Sequence, residues 1–317
     1  MDHSKPKVAI ALATYNPVEK YFQEQIESLQ KQSYDNWVCT VSDDHSDSQQ
    51  IKFISYLLKK DTRFQLVSNT GDKGSYGNFQ NALGNIDKSA DLIAFCDQDD
   101  VWEVDKLEKS VSLFLDAKTM VVHTDLSLTD KNGNVTDPSC WEKEQRDFIS
   151  KDFYSLFLRN NVTGCSMMFR KDLLKWALPF PRQNFKDLSF HHDHWIALIG
   201  HLKGEIKRID SPLIRYRQHD HNVVGVSVRE KKSLLNKIKD LQFLLEKSVK
   251  AYNQRQTLYL ALVSRFPESK DELGKWPSFL CFFLDIIKRA VVRPPMRRVS
   301  VQLILGRLGK RLKQKSV

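Results

Sequence analysis

Leu92-Ile-Ala-Phe-Cys-Asp-Gln-Asp-Asp-Val-Trp102 is an uninterrupted apolar run followed at once by a cluster of acidic side chains. Five consecutive apolar residues indicate a strand that is buried on both faces. Carboxylates that lie this close repel each other unless a cation or solvent separates them. Their hard oxygen ligands suit Mg²⁺ or Mn²⁺, which bind one or two carboxylates together with substrate phosphates. We therefore predict a metal-binding loop after a buried strand; the alternative is a solvated acidic loop near a helix start.

Three more apolar strands precede this one, and amphipathic helical stretches separate them. The four strands are predicted at residues 8–13, 37–41, 64–67 and 92–96, with helices near 18–31, 49–59 and 76–85. This alternation predicts an α/β fold with a parallel sheet and crossover helices. Ligands of such sheets bind beyond the carboxyl ends of the strands. The polar residues found at those ends are Thr14, Tyr15, Asn16, Asp43, Asp44, Asn69, Gly71 and Asp97 to Asp100.

The middle of the chain predicts a mixed sheet that completes the first one. Strands are predicted at residues 120–123, 165–169, 206–209 and 213–216, and a helix at 192–201. Beyond Val228 apolar residues recur at three-, four- and seven-residue intervals, which indicates a long helix. We expect a catalytic domain over residues 1–225 and a helical C-terminal region over 226–317.

The segments after strands two and three offer groups that could bind a nucleotide. Asp43 and Asp44 can accept hydrogen bonds from a nucleobase imide or a ribose, whereas helix capping is the competing role for Asp44, Ser46 or Asp47. Residues 69–78 form a glycine-rich turn into a helix, so that backbone amides and Lys73 could approach a phosphate. An ordinary loop is the alternative for that segment.

An aspartate among three histidines, His191-His192-Asp193-His194-Trp195, precedes an apolar helical run. Such a carboxylate can serve as a general base or orient a histidine. A zinc site is disfavoured, because adjacent histidines point in different directions on a helix. Arg215 and Arg217 end a predicted strand and could neutralise a leaving diphosphate. A structural salt bridge is the alternative role for one of these arginines.

The order of these motifs resembles that of the inverting GT-A glycosyltransferases of family 2, over roughly residues 5 to 222. The resemblance rests on Ala13-Thr-Tyr-Asn16, Val41-Ser-Asp-Asp-His-Ser46, Asn69 with Gly71, and Asp97-Gln-Asp-Asp-Val-Trp102. The later runs His-His-Asp-His-Trp195 and Tyr216-Arg-Gln-His-Asp-His-Asn222 look like those of bacterial, streptococcal-type rhamnosyltransferases of cell-wall or capsular polysaccharide synthesis.

The resemblance implies a role for each matching residue. Asp97 and Asp99 would form the DxD pair that holds Mn²⁺ or Mg²⁺, with His219 as a further ligand, and Asp193 would be the catalytic base, with either His192 or His194 assisting it. The nucleotide would be bound by Thr14, Tyr15, Asn16, Asp43, Asp44, Gly71, Lys73, Asn78 and Asp97. Contacts with the acceptor or the diphosphate would come from Trp102, His192, Trp195, Arg215 and Arg217.

The implied reaction is a single displacement that inverts the anomeric carbon. The preferred donor is dTDP-L-rhamnose, with a UDP-hexose as the alternative, and the acceptor is a lipid-linked saccharide. Two other classes compete with this interpretation. A nucleotidyltransferase would carry a basic glycine-rich signature near the first strand, which Thr14-Tyr-Asn-Pro-Val18 lacks. A non-catalytic membrane-associated scaffold would not need the intact set of Asp97, Asp99 and Asp193.

The net charge of +10 belongs to the C-terminal tail. Residues 286–317 contain ten Lys or Arg and no acid, so the preceding residues carry 39 charges of each sign. This balance argues against nucleic-acid binding by the main domain. Apolar and basic residues of the tail segregate on opposite helical faces, which predicts association with an anionic membrane surface without a membrane span. The alternative is that both apolar faces pack on the protein.

The cysteine pattern and the N-terminus predict a cytoplasmic protein held peripherally on the inner face of the cell membrane. The five cysteines are scattered without a CxxC pair, which favours a reducing compartment. The apolar run at residues 8–13 is too short for a signal peptide. A shared heptad position in the helix from about residue 231 to 263 predicts a homodimer, and packing of that stripe on the catalytic domain is the alternative.

Overall fold

The computed structural model describes residues 5–144, 153–182, 191–219 and 241–269. The chain divides into two compact units. Of the described residues, the first unit contains 5–144, 161–180 and 191–219, and the second contains 153–160, 181–182 and 241–269. The domain boundary predicted at residues 225 and 226 lies outside the described ranges and stays a prediction.

The first unit is built on one mixed sheet, to which the described residues contribute nine strands. The strand order is β3-β2-β1-β4-β8-β6-β9-β5, and β7 pairs with β6 at the side. The strands are β1 Val8–Thr14, β2 Trp37–Asp43, β3 Phe64–Ser68, β4 Leu92–Cys96, β5 Val101–Trp102, β6 Thr119–Thr129, β7 Val135–Asp137, β8 Met168–Arg170 and β9 Glu205–Arg217.

The helices of the first unit cover both faces of this sheet. They are α1 Glu19–Gln30, α2 Ser48–Leu58, α3 Ser75–Gly84, α4 Lys106–Ser112, α5 Cys140–Glu144, α7 Leu174–Ala177 and α8 His192–Lys203, with 3₁₀ turns at Leu113–Leu115, Gly164–Ser166 and Lys171–Leu173. Alternate strand residues point to opposite faces. One core therefore joins Ile10 and Leu12 to Phe22 of α1, while Phe95 packs on Phe79 of α3 on the other side.

The predicted parallel sheet is confirmed for β1 to β4. β1 lies between β2 and β4, and all three of these neighbouring pairs, including β2 with β3, run parallel. β1, β2 and β4 are short and largely buried, and polar residues stand at or directly after the end of each, whereas β3 is partly exposed along its length. The carboxyl ends of β1, β2 and β4 therefore meet at one edge of the sheet.

The second half of the sheet differs from the prediction in two respects. The strand expected at 165–169 is a 3₁₀ turn, Gly164–Ser166, followed by β8, Met168–Arg170. The strands expected at 206–209 and 213–216 are one continuous strand, β9, which runs parallel to β6. Pro212, which has no N–H to donate, lies between the two predicted strands. The pairing instead shifts its register between Thr124 and Asp125, opposite this segment, and continues to Arg217. This continuity carries Arg217 and His219 to the end of β4.

The second unit contains α6 Phe153–Leu158, α9 Leu241–Arg265 and a 3₁₀ turn at Pro267–Ser269. The long helix predicted after Val228 is thus confirmed for residues 241–265.

Within the part of the chain that the structure describes, no helix is long and apolar enough to cross a bilayer. The basic tail lies outside the described residues, so its association with a membrane stays a prediction, as does the homodimer. Cys39, Cys96, Cys140 and Cys165 are buried free thiols.

Candidate active site

Hydrogen bonds of Gln98 connect the acidic loop after β4 to the end of β1. Its side-chain carbonyl accepts the Thr14 hydroxyl at 2.9 Å and the Tyr15 amide N–H at 2.8 Å. The Tyr15 side chain remains 56% exposed beside this junction. Asn16, which has a positive φ of 38°, receives a hydrogen bond from the Asp47 amide at 2.9 Å. The loops after β1, β2 and β4 therefore form one connected rim.

Asp43 and Asp44 lie buried at the end of β2, and neither of them caps α2. The cap is Asp47, which accepts the amides of Gln49 and Gln50. Asp43 accepts the Ser46 amide with one oxygen at 2.9 Å, while its other oxygen, Oδ1, has no hydrogen-bond partner in the structure. An unpaired buried carboxylate oxygen is costly. Oδ1 of Asp43 is therefore available to a donor group on a ligand.

The glycine-rich segment donates two hydrogen bonds to Asp44. The carboxylate of Asp44 accepts the Asn69 side-chain amide and the Gly74 N–H, both at 2.7 Å. A Cβ at Gly77 would meet the Asp72 carbonyl oxygen at 1.9 Å, so no larger residue fits there.

The other predicted residues of this segment differ in their placement. Gly71 donates its N–H to the Asn69 side chain at 2.9 Å, and Lys73 is exposed. The side-chain amide of Asn78 is buried and donates to the carbonyls of Ser42 and Thr14 at 2.9 and 3.2 Å. Asn78 thus ties α3 to the ends of β1 and β2, and its Oδ1 has no partner in the structure.

The acidic loop brings Asp99 to His219. Oδ2 of Asp99 lies 2.8 Å from Nε2 of His219, although 120 residues separate them. Beside this pair, burial and the nearby charges of Asp99 and Asp193 raise the pKa of Asp97 to about 7, against a hydrogen bond with Cys165 that lowers it. The Asp99 carboxylate is the kind of oxygen ligand that Mn²⁺ and Mg²⁺ prefer, and the His219 ring offers a nitrogen beside it.

A second group of possible ligands lies deeper in the same loop. Among the described residues, Asp97, Asp100 and Cys165 place one potential ligand atom each within 4.8 Å of one another. Asp100 is fully buried, and its Oδ1 already accepts the Arg217 backbone N–H at 3.2 Å. Burial raises the pKa of the Cys165 thiol well above its usual value. The cation site predicted on Asp97, Asp99 and His219 stays a prediction.

Asp193 lies in the first turn of α8, and its carboxylate contacts the 3₁₀ turn Gly164–Ser166. One carboxylate oxygen accepts the Gly164 N–H at 2.9 Å, and the other accepts the His194 N–H at 2.5 Å. Gly164 donates to Asp193, and the next residue, Cys165, has its Sγ within 4.8 Å of a carboxylate oxygen of Asp97, so both carboxylates lie at this 3₁₀ turn. A hydroxyl group that approaches Asp193 would thus lie next to the acidic loop.

The residues on either side of Asp193 are interior residues. His192 stacks on Phe79 with ring centroids 3.9 Å apart, and burial lowers its pKa to about 3. His194 is buried, and the fully buried Trp195 donates its indole N–H to the Ala177 carbonyl at 3.0 Å. The structure does not bring His192 or Trp195 to the surface of the site, so it does not support their predicted contacts with the acceptor or the diphosphate.

We expect His192→Phe to flatten the acid dependence of stability. The folded-state pKa of His192, about 3, is below the ordinary histidine value of about 6.5, so the unfolded chain takes up a proton that the folded chain excludes. This contribution is complete above about pH 6.5 and falls by about 1.4 kcal/mol per pH unit as the pH drops from there toward the folded pKa. Urea unfolding of both proteins at about pH 7 and pH 5 measures it. Identical pH dependence would contradict the buried, neutral state of His192.

The two arginines at the end of β9 are engaged within the protein. Arg215 forms an ion pair with Glu103, with Nε 2.8 Å from Oε1. Arg217 is 2% exposed and pairs with Glu24. The placement favours the structural alternative for both, rather than contact with a diphosphate. Trp102 is likewise buried, with the Lys106 ammonium 3.5 Å from its ring centroid, so its placement does not support an acceptor contact.

Comparisons with solved structures identify the fold. The fold is that of the GT-A glycosyltransferases. Two solved structures share it: the mannosyltransferase PcManGT from Pyrobaculum calidifontis with GDP-Man and Mn²⁺, at 14% identity and TM-score 0.52 over 98% of this chain and 87% of that one, and S. aureus TarS with UDP-GlcNAc, at 16% identity and TM-score 0.51 over 98% and 92%.

The family follows from the sequence comparison. Residues 9–176 match the model of glycosyl transferase family 2, and the chain belongs to that family. It is 33% identical over 200 residues to the Escherichia coli UDP-Glc:alpha-D-GlcNAc-diphosphoundecaprenol beta-1,3-glucosyltransferase WfgD, covering 61% of this chain and 73% of WfgD. It is 24% identical to the Shigella flexneri dTDP-rhamnosyl transferase RfbG over 68% of this chain and 74% of RfbG. The predicted GT-A fold and glycosyltransferase class are therefore confirmed, while the rhamnosyl specificity is not established.

Proposed function

We propose that this glycosyltransferase moves one sugar from a nucleotide donor to a hydroxyl group of a lipid-linked precursor of a cell-surface polysaccharide, with inversion at the anomeric carbon. The observation that carries this proposal is that the turn at Gly164 and Cys165 contacts both Asp193 and Asp97, and that Asp99, two residues after Asp97, lies against His219. A base and an acidic cation site side by side are what a direct displacement requires.

The donor nucleotide fits the rim formed by the loops after β1, β2 and β3. Oδ1 of Asp43 is the unpaired buried acceptor there, and it can receive the imide N–H of a uracil or thymine base. The exposed ring of Tyr15 can stack on that base. The exposed Lys73 lies on the glycine-rich segment, where its charge can reach the diphosphate. Both uracil and thymine present the same imide group, so these contacts accept UDP and dTDP donors.

The cation site is proposed on Asp97, Asp99 and His219. A divalent cation bound there would stabilise the negative charge of the departing nucleoside diphosphate. The GDP-Man complex of the Pyrobaculum mannosyltransferase contains Mn²⁺, which supports Mn²⁺ or Mg²⁺ for this fold. Asp193 accepts the proton of the attacking hydroxyl, while the Gly164 N–H holds its carboxylate in place. The acceptor oxygen then attacks the anomeric carbon from the side opposite the diphosphate.

The preferred donor is dTDP-L-rhamnose, as the sequence motifs indicated, and the similarity to RfbG supports it. A UDP-hexose is the second candidate. The sequence identity to WfgD, which is named for UDP-Glc, is 33%, compared with 24% for RfbG. WfgD is named for a diphosphoundecaprenol-linked acceptor, which supports a lipid-linked acceptor here.

A donor panel tests the proposed function. Purified protein is supplied with Mn²⁺, a lipid-linked acceptor and each of several dTDP- and UDP-sugars, and release of the nucleoside diphosphate is measured. One donor should give acceptor-dependent release and an elongated product. A nucleotidyltransferase would instead release pyrophosphate, and a scaffold would release nothing with any donor.

We expect the C-terminal tail to hold the enzyme on anionic membranes. Ten basic residues without an acid in residues 286–317 would contribute roughly 1 kcal/mol each near such a surface. Liposome flotation of the full chain and of a version ending at Lys275 measures this contribution, with neutral vesicles as the control. Equal flotation of both versions on anionic vesicles would rule out the tail as the anchor.

A further inference from the structure

Arg217 joins three separate segments of the first unit through one buried guanidinium. Nη2 lies 2.5 Å from Oε2 of Glu24 on α1, and Nε donates to the backbone carbonyl of Asp99 at 3.0 Å. Nη1 donates to the carbonyl of Lys131, in the turn between β6 and β7, at 3.3 Å. The guanidinium also lies 4.3 Å from the ring centroid of Tyr21, one turn before Glu24. These contacts fix the acidic loop against α1 and the end of β9.

This network includes both members of the Asp99–His219 pair. Arg217 holds the main chain of Asp99 directly, and His219 follows Arg217 by two residues. The ring of His219 lies 5.5 Å, centroid to centroid, from the same Tyr21 ring that receives the guanidinium. The Arg217 backbone N–H also binds Asp100, the next residue of the acidic loop. The separation of Asp99 from His219, 2.8 Å between Oδ2 and Nε2, is thus set from both sides by Arg217 and Tyr21.

Electrostatics explains why Glu24 is needed for this arrangement. A buried guanidinium is costly unless it is paired and its donors are satisfied. Glu24 supplies the negative charge, and the two backbone carbonyls satisfy further N–H groups in the fixed geometry that only arginine offers. Without the carboxylate, the guanidinium would be drawn toward solvent or toward the acidic loop. Either movement would displace the Asp99 backbone.

We infer that Glu24 and Tyr21 on α1 are positioning residues that set the affinity of the Asp99–His219 pair for a divalent cation. This inference rests on the proposed function, because that proposal makes the pair a cation site. Neither residue touches the donor or the acceptor in this account. Residues that orient metal ligands typically change metal affinity by about ten- to a hundredfold when they are altered.

The test uses two pairs of variants of the full chain. Glu24→Gln keeps the shape of the side chain and removes the charge, and its control is Glu27→Gln on the next exposed position of the same helix. Glu27 interacts with Gln23 and Lys31 instead. Tyr21→Leu removes the ring that both Arg217 and His219 contact, and Tyr21→Phe keeps that ring. Mn²⁺ binding is followed by the loss of the free-ion electron paramagnetic resonance signal, at one fixed UDP concentration and without UDP, and thermal unfolding is recorded for each variant.

We expect Glu24→Gln and Tyr21→Leu to raise the Mn²⁺ dissociation constant by about tenfold or more, whereas Glu27→Gln and Tyr21→Phe stay within about twofold of wild type. The Mn²⁺ concentration for half-maximal turnover should rise by more than turnover at saturating Mn²⁺ falls.

Wild-type Mn²⁺ affinity in both Glu24→Gln and Tyr21→Leu would overturn the inference. If Glu24→Gln fails to fold, the comparison of Tyr21→Leu with Tyr21→Phe decides. Loss of Mn²⁺ binding in Asp99→Ala, with wild-type affinity in both test variants, would reject the positioning role alone. Absence of Mn²⁺ binding by the wild type would reject the cation site and the inference together.

Discussion

Asp193→Asn should lower the turnover of sugar transfer by about a hundredfold or more, because it removes the proton acceptor for the attacking hydroxyl. The substitution keeps the shape of the side chain. The asparagine carbonyl oxygen can still accept the Gly164 N–H that binds Asp193 at 2.9 Å, although the His194 N–H loses its acceptor, so the turn at Gly164 should remain in place. The affinity for the nucleotide should therefore change little. Steady-state transfer assays and calorimetric titration of UDP measure the two quantities on the same preparation.

The matched control for this prediction is Asp172→Asn. Asp172 pairs with Lys175 at 2.8 Å and is well exposed, so its substitution removes a carboxylate from the same unit without affecting Asp97. Its turnover should equal that of the wild type. Transfer by Asp193→Asn at close to the wild-type rate would remove Asp193 from the role of base. A large loss of nucleotide affinity instead would assign it to binding.

Asp99→Ala should abolish the dependence of nucleotide affinity on a divalent cation. The charge of a diphosphate is stabilised by a cation, and Asp99 is the carboxylate that lies against His219 in the proposed cation site. Calorimetric titration of UDP with and without Mn²⁺ should show a clear gain in affinity for the wild type and none for the variant. The residual, cation-independent affinity should be the same in both proteins.

Asp105→Ala provides the control for this second prediction. Asp105 follows Asp99 by six residues and pairs with Lys109 on α4 at 2.6 Å, so it contributes a nearby charge without contacting His219. Its gain in nucleotide affinity with Mn²⁺ should match that of the wild type. An undiminished gain in Asp99→Ala would show that the cation is bound elsewhere, and the buried group of Asp97, Asp100 and Cys165 would be the first to examine.

The parallel half of the sheet could be predicted because short patterns of neighbouring residues indicate its strands. Each of β1, β2 and β4 is a short apolar run that ends in polar residues, and the edge at which such ends meet follows from parallel topology. The antiparallel β8 and the two-residue β5 are set by pairing with distant strands. A three-residue or two-residue strand leaves no periodic pattern. β9 continues across Pro212 because its pairing with β6 shifts register there. The sequence of β9 alone does not reveal this shift.

Short sequence motifs located the candidate site residues. Contacts between residues far apart in the chain could not be predicted. Arg217 stands two residues before His219 in a motif that fits a diphosphate contact equally well, and its ion pair with Glu24 spans 193 residues. Gln98 was visible within the acidic motif, but its hydrogen bonds to the end of β1 were not. His192 is different, because a local signal existed. His192, Trp195, Ile196 and Ile199 follow the spacing of one buried helical face, and all four are buried in α8.

The anomeric configuration of the product tests the central claim most directly. The wild-type enzyme is incubated with Mn²⁺, the donor selected by the panel and a lipid-linked acceptor, and the one-bond carbon–proton coupling at the new anomeric centre is measured by NMR. A single displacement assisted by Asp193 predicts that the transferred sugar has the opposite anomeric configuration to that of the donor. A retained configuration would contradict direct attack by the acceptor hydroxyl and, with it, the role proposed for Asp193.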